Sequence, residues 1–229
     1  MEQAFFVPTL RVVTTETLAA PPRRWLAPQV LLGFAGVVAC LFALISINTV
    51  YEGLPAHPLL VHVPVILIPT TALGGLLLLW KPNWFERHAV WLCGLTALTL
   101  AALNLTINAG GNLRNDLGLY GTSAVDDLVA RHAAAAGKLQ LCFIVYTAAF
   151  IVVVALHRHH RGELTGIGWI DAIVGGVLKL FHGLTIPRVI LGLLAIGSLY
   201  LVFLTGDLGA RAVWQGKVQA AQSSQGAIR

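Results

Sequence analysis

The chain is laid out as long apolar runs with the charged residues collected between them. No Asp, Glu, Lys or Arg occurs within residues 25–51, 53–80, 88–113, 139–157 or 189–206. A helix needs about 20 apolar residues to cross the hydrocarbon of a bilayer. The runs are continuous rather than alternating, and backbone groups cannot be left unpaired in lipid, so they read as helices and exclude a barrel. The pattern predicts five spans, at 28–49, 58–80, 85–109, 132–156 and 187–206.

The boundaries carry their own signals. Pro28, Pro58 and Pro187 each stand where a first helical residue would, the position at which a missing N–H is harmless. Ser123 with Asp126 has the spacing of a capping box, which starts the fourth helix outside the bilayer. Lys81-Pro82-Asn83 reads as the turn between the second and third spans, and Gly110-Gly111-Asn112 as the end of the third. Trp25, Trp80, Trp84 and Trp214 fall at span ends, as interfacial aromatics do.

One segment has a different period. Ile170, Ile173, Val174, Val177, Leu178 and Phe181 share one helical face, with Asp171 and Lys179 off it. This predicts an amphipathic helix within 166–184 lying in the membrane interface. The expected architecture is therefore an all-α transmembrane bundle. It comprises a cytoplasmic tail (1–24), an additional N-terminal span (25–52), a four-helix core with the interfacial helix (53–218) and a C-terminal tail (219–229).

Composition agrees. Of 229 residues 57% are hydrophobic and 11% charged, where a soluble domain carries roughly a quarter charged residues. The net charge of +5 comes from scattered residues and not from a basic stripe, which argues against nucleic acid as a partner. Disorder, coiled coil, collagen and a disulfide scaffold are excluded on the same grounds. Cys40, Cys93 and Cys142 lie in three separate spans and read as small apolar fillers.

Lysines and arginines assign the faces. With the N-terminus cytoplasmic, nine fall on that side and six on the other, and the loop 52–56 has none, so the positive-inside rule favours a cytoplasmic N-terminus and an outside C-terminus. Every helix direction then follows. His57 and His62, Asn104 and Asn108, His132 and Asp207 all come to one face, contributed by four helices. Polar groups at such depth face a bundle interior or a cavity.

Histidines are the candidate chemistry. His57 and His62 differ by about 140° around a helix, too far for one cofactor to take both. Pro64 removes a hydrogen bond to the Leu60 carbonyl and bends the helix beside His62. His132 follows Arg131 and precedes four alanines and Gly137, small residues that admit a planar group. A b-type haem held by two histidines needs neutral imidazoles from facing helices and cations for its propionates. His62 with His132 is the expected pair, with Arg131, Arg114 and Arg211 as cations. A metal held by His57, His62, His132 and Asp207 is a second possibility in ligand type. Asn104 and Asn108 read as helix-to-helix hydrogen-bonding residues beside the site. The run His157-Arg158-His159-His160-Arg161 reads as a cytoplasmic basic anchor on anionic lipid.

From His57-Pro58-Leu59-Leu60-Val61-His62-Val63-Pro64, and again from Gly206-Asp207-Leu208-Gly209 through Trp214, the chain resembles a bacterial family of uncharacterised four-helix membrane proteins. Its signature is H-P-x-x-V-H-F-P-I, with a closing G-x-x-G-x-x-L-V-Y-like segment. Val63 replaces the usual Phe, and Ala212 and Trp214 stand where Leu and Tyr are common. Relatives in that family are fused to Rieske or cytochrome c domains. The resemblance therefore implies redox company and b-haem binding, with His57, His62 and His132 as the matching histidines. The functional expectation is a multi-pass subunit of an electron-transfer system in the bacterial inner membrane, a carrier and not an enzyme, meeting a redox partner at the outer face. The alternatives are a non-catalytic subunit of a larger respiratory or photosynthetic complex, and a small metal-dependent membrane enzyme.

Overall fold

Proline has no N–H to return to the carbonyl four residues back, so Pro64 leaves the Leu60 carbonyl without its helical partner. The second apolar run comprises a short α1 (Ala56–Leu60) and α2 (His62–Trp80), with Val61 between them still in the right-handed helical region (φ −59°, ψ −26°), so that Ala56–Trp80 forms one apolar stretch as the sequence predicts. The Thr106 hydroxyl of the next helix lies 3.3 Å from the Leu60 carbonyl but donates along its own helix to the Ala102 carbonyl at 2.8 Å. Ahead of α1, two-residue strands β1 (Val50–Tyr51) and β2 (Leu54–Pro55) pair antiparallel. The structure is a computed structural model that describes residues 50–51, 54–121 and 123–226. The predicted tail 1–24 and span 28–49, with Cys40, lie outside the described residues.

Lys81 alone joins α2 to α3 (Pro82–Asp116), Pro82 taking the first helical position. Helix α3 does not stop at Gly110-Gly111, as those residues suggest, but continues six residues or so to Asp116, because Gly110 serves a close contact described below. The capping box at α4 (Ala124–His160) forms as the spacing predicts. Ser123 Oγ accepts from the Asp126 N–H at 3.2 Å, and the Asp126 carboxylate accepts from the Ser123 N–H at 3.1 Å. Two further helices follow, α5 (Gly168–Leu180) and α6 (Thr185–Gly226).

Among the described residues, four helical stretches are long and apolar enough to cross a membrane: Ala56–Trp80, Pro82–Asp116, Ala124–His160 and Thr185–Gln215. α2 packs on α3 and on α6, and α4 packs on the same two, so the ring around the bundle follows chain order, up and down. Phe143, Tyr146 and Phe150 of α4 fill the centre against Ile68 and Ala72 of α2 and Leu191 and Ala195 of α6. The Tyr146 hydroxyl crosses the bundle to donate to the Thr71 carbonyl at 2.9 Å. Buried Thr71, Thr96, Thr99 and Thr147 each turn their hydroxyl back to the carbonyl four residues earlier, so none is left without a partner in an apolar interior. The outward face carries exposed Leu59, Ile66, Trp91, Leu141, Leu193 and Phe203, a belt suited to acyl chains and not to water.

α5 packs on α4 with Ile170, Val174, Val177, Leu178 and Phe181 half-buried, while Trp169, Ile173 and Leu180 remain exposed. Ile173 thus departs from the face its spacing assigns it. The turn before α5 is held by Asp171, which accepts from the Thr165 N–H at 2.9 Å, the Thr165 hydroxyl at 2.8 Å and the Gly166 N–H at 3.3 Å. The bond from the Thr165 N–H is the main cause that holds the Asp171 carboxyl below its ordinary value.

Two expectations follow from these contacts. A Cβ on Gly75 would collide with the Tyr146 hydroxyl oxygen, whereas the next ring atom stands at an ordinary 3.5 Å. Gly75→Ala should therefore cost about 1–3 kcal/mol by overpacking and much less in a Tyr146→Phe background, read by detergent-denaturant unfolding of the single and double variants. A depressed carboxylate stabilises above the ordinary carboxylate range and loses that contribution as pH falls through the lowered value. Protection of the Thr165 and Gly166 amides from hydrogen exchange should accordingly fall in acid, and Asp171→Asn should lack it already at neutral pH.

Candidate functional site

Two imidazoles meet at one end of the bundle. His57 in α1 and His132 in α4 have ring centroids 6.3 Å apart with planes at 76°. Each ring is fixed from a different neighbouring helix. His57 Nδ1 donates to the Thr106 carbonyl of α3 at 2.9 Å, and His132 Nδ1 donates to the Thr205 carbonyl of α6 at 2.9 Å. A carbonyl can only accept, so the proton of each neutral ring sits on Nδ1 and the Nε2 lone pair is left available.

The seat for each ring is a glycine one helical turn beyond the threonine. A Cβ on Gly110 would lie 2.8 Å from His57 Cε1, and one on Gly209 would lie 3.0 Å from His132 Cε1. A side chain at Gly110 would force the His57 ring to shift, and one at Gly209 would crowd the His132 ring. The arrangement is the same twice: a histidine, a threonine carbonyl, and a glycine four residues after that threonine. The sequence carries this as Thr106-Ile107-Asn108-Ala109-Gly110 and Thr205-Gly206-Asp207-Leu208-Gly209. That repeated T-x-x-x-G spacing is the signal by which the threonines and glycines could have been found.

His62 does not join the pair. It lies exposed at the start of α2, with Nδ1 3.2 Å from the Leu59 carbonyl of its own turn. The backbone stays helical through Val61, so His62 lies about 140° around from His57, and it is His57 that meets His132. Asn104 accepts from Gln140 Nε2 of α4 at 2.8 Å and is buried, a bond between helices. Asn108, one turn on, is on the exposed side of α3.

The cations at this end already have partners. Arg131 pairs with Asp127 at 3.0 Å and Arg211 with Asp207 at 2.8 Å, both on the surface and four residues apart. Asp207 is thus taken by Arg211. Arg114 donates from Nε to the Leu119 carbonyl at 3.1 Å and lies 4.4 Å over the Tyr120 ring. Among the described residues no group of three or more His, Cys, Asp or Glu is assembled for a metal ion. Cys142 sits between α4 and α6, 3.8 Å from the Leu194 carbonyl and 3.6 Å from Ser198 Oγ.

Comparison with known proteins returned no match among curated proteins and none among solved structures. The family described as "Predicted membrane protein (DUF2231)" matches residues 53–222, from the turn before α1 to near the end of α6. That range takes in all four apolar helices and both imidazole seats. The chain belongs to this membrane-protein family.

Proposed function

We propose that His57 and His132 would hold one b-type haem and that the chain is an electron-transfer subunit of an energy-transducing membrane system. The observation that carries this reading is the state of the two rings. Both give Nδ1–H to a helix carbonyl, the arrangement that orients metal-bound histidines and raises their basicity. The two rings stand close enough, 6.3 Å between centroids, for one group to be held by both. When bound, the haem supplies reversible one-electron transfer.

The chain's own residues do the rest. Thr106 and Thr205 fix both tautomers, and Gly110 and Gly209 let the rings sit flush against α3 and α6. Ala133 to Gly137 present nothing larger than a methyl group until Lys138. Arg131 and Arg211 are tied only in exposed ion pairs of small worth, so they are free to turn toward propionates. The opposite end carries Lys81, Arg87, Arg158, Arg161, Lys179 and Arg188, which supports a cytoplasmic location for that end and an outer location for the histidines, in a bacterial inner membrane. The exposed Trp169, Ile173 and Leu180 of α5 support its lying along the interface. The same face favours the second reading, a non-catalytic subunit of a larger membrane complex, since a partner could cover it.

Purified protein loaded with haemin should show a Soret band with low-spin visible bands. His57→Ala and His132→Ala should each reduce haem retention at least tenfold, and His62→Ala should leave it within twofold of the parent. Equal retention in all three variants, or no Soret band in the parent, would overturn the haem reading. Co-purification with a stable complex that survives both alanine variants would then favour the structural role.

A further inference from the structure

The two imidazole seats are alike in more than their own residues. Each is made by two successive crossings, with the histidine near the start of the first and the T-x-x-x-G near the end of the second: His57 with Thr106 and Gly110, His132 with Thr205 and Gly209. The packing repeats as well. α2 lies against α3 in its own hairpin and against α6 across the bundle, while α4 lies against α6 in its own hairpin and against α3 across it. Exchanging the two hairpins therefore reproduces the same neighbours.

An inward histidine fixes the phase of the helix face below it, but not what that face meets. Fourteen residues after its histidine, α2 has Thr71 and α4 has Tyr146, and these two bond to each other across the bundle at 2.9 Å. Ile68 and Phe143, eleven after, and Gly75 and Phe150, eighteen after, flank that pair, and all four are buried. At each level the first hairpin has the smaller side chain and the second the larger, so size is complementary where they meet.

The second helices correspond without a gap, residues 92–110 with 191–209. Four leucines coincide, Leu92 with Leu191 and Leu105 with Leu204 among them, ahead of the shared threonine and glycine. Buried Thr99 corresponds to buried Ser198, and both hydroxyls return to the carbonyl four residues back, at 2.7 and 2.8 Å. Histidine and threonine are 49 residues apart in the first hairpin and 73 in the second. The excess falls where Lys81 alone joins α2 to α3 but residues 161–184, with α5, join α4 to α6.

We infer that residues 56–215 are one helical hairpin repeated in tandem, the copies related by a pseudo-two-fold axis along the bundle, with α5 inserted in the second. The imidazole site lies on that axis as two equivalent half-sites. Each copy gives one ring, neither histidine is the principal one, and α5 takes no part. This holds whether or not haem is bound.

The test exchanges the copies at the centre of the full chain. Ile68→Phe, Thr71→Tyr and Gly75→Phe together should lower Tm by overpacking, and Phe143→Ile, Tyr146→Thr and Phe150→Gly together by leaving a cavity, each by at least about 10 °C in detergent. All six should regain at least half of the Tm lost by the weaker set. Restored volume accounts for part of that, so the bond across the axis is read separately. In the exchanged chain, Thr71→Phe in place of Thr71→Tyr should lower Tm as much as Tyr146→Phe does in the parent, to within twofold. A further variant replaces residues 162–184 with about four Gly and Ser residues. Nitrogen-15 NMR of this histidine-labelled variant without haem should show both rings still protonated at Nδ1. An exchanged chain no more stable than the weaker set, or one indifferent to Thr71→Phe, would overturn the repeat. Loss of either Nδ1 proton in folded protein lacking α5 would overturn α5 as an insertion outside the site.

Discussion

Hydrocarbon offers no hydrogen-bond partner, so polar groups in the middle of this bundle are answered by other parts of it. Threonine hydroxyls turn back on their own helices. Tyr146 reaches the Thr71 carbonyl, and Gln140 meets Asn104. The two imidazoles follow the same rule, each taking a helix carbonyl on a neighbour. Helix carbonyls already engaged within a helix have a second lone pair, and this protein uses that spare capacity repeatedly to join one helix to the next.

The two ends solve the problem with different chemistry. One holds neutral rings against backbone, with its ion pairs kept on the surface. The other buries a guanidinium beside a histidine and leaves donors without acceptors. Between them lies a centre of Phe143, Phe150, Ile68 and Leu191 in which the Tyr146 hydroxyl is already committed. The two ends therefore differ in chemistry, and a substitution at one need not disturb the other.

Much of the fold was legible because lipid enforces it. Charge-free runs give the four described crossings, and Ser123 with Asp126 marks the start of α4 because a capping box is a local, three-residue interaction. What escaped depends on contacts far apart in sequence. Gly110 reads locally as a helix end, yet its role is set by His57, and α3 runs through it. Helix geometry separates His57 from His62, but that it is His57 which meets His132 depends on carbonyls of two other helices, those of Thr106 and Thr205. Grouping the histidines at one end was within reach of helix direction alone; which ring faces which was not. The burial of His157 and Arg188 was likewise hidden, because in sequence they are two ordinary members of a basic flank.

The ring of helices in chain order has a consequence for biogenesis. α1, α2 and α3 form one hairpin and α4 and α6 the other, each able to enter the membrane as it is made. His57 and its carbonyl belong wholly to the first, His132 and its carbonyl wholly to the second. A nascent chain halted between them carries one finished half-seat facing nothing. The meeting of the two rings is thus a late event that reports the docking of the hairpins, and it waits for a chain whose synthesis has passed α6.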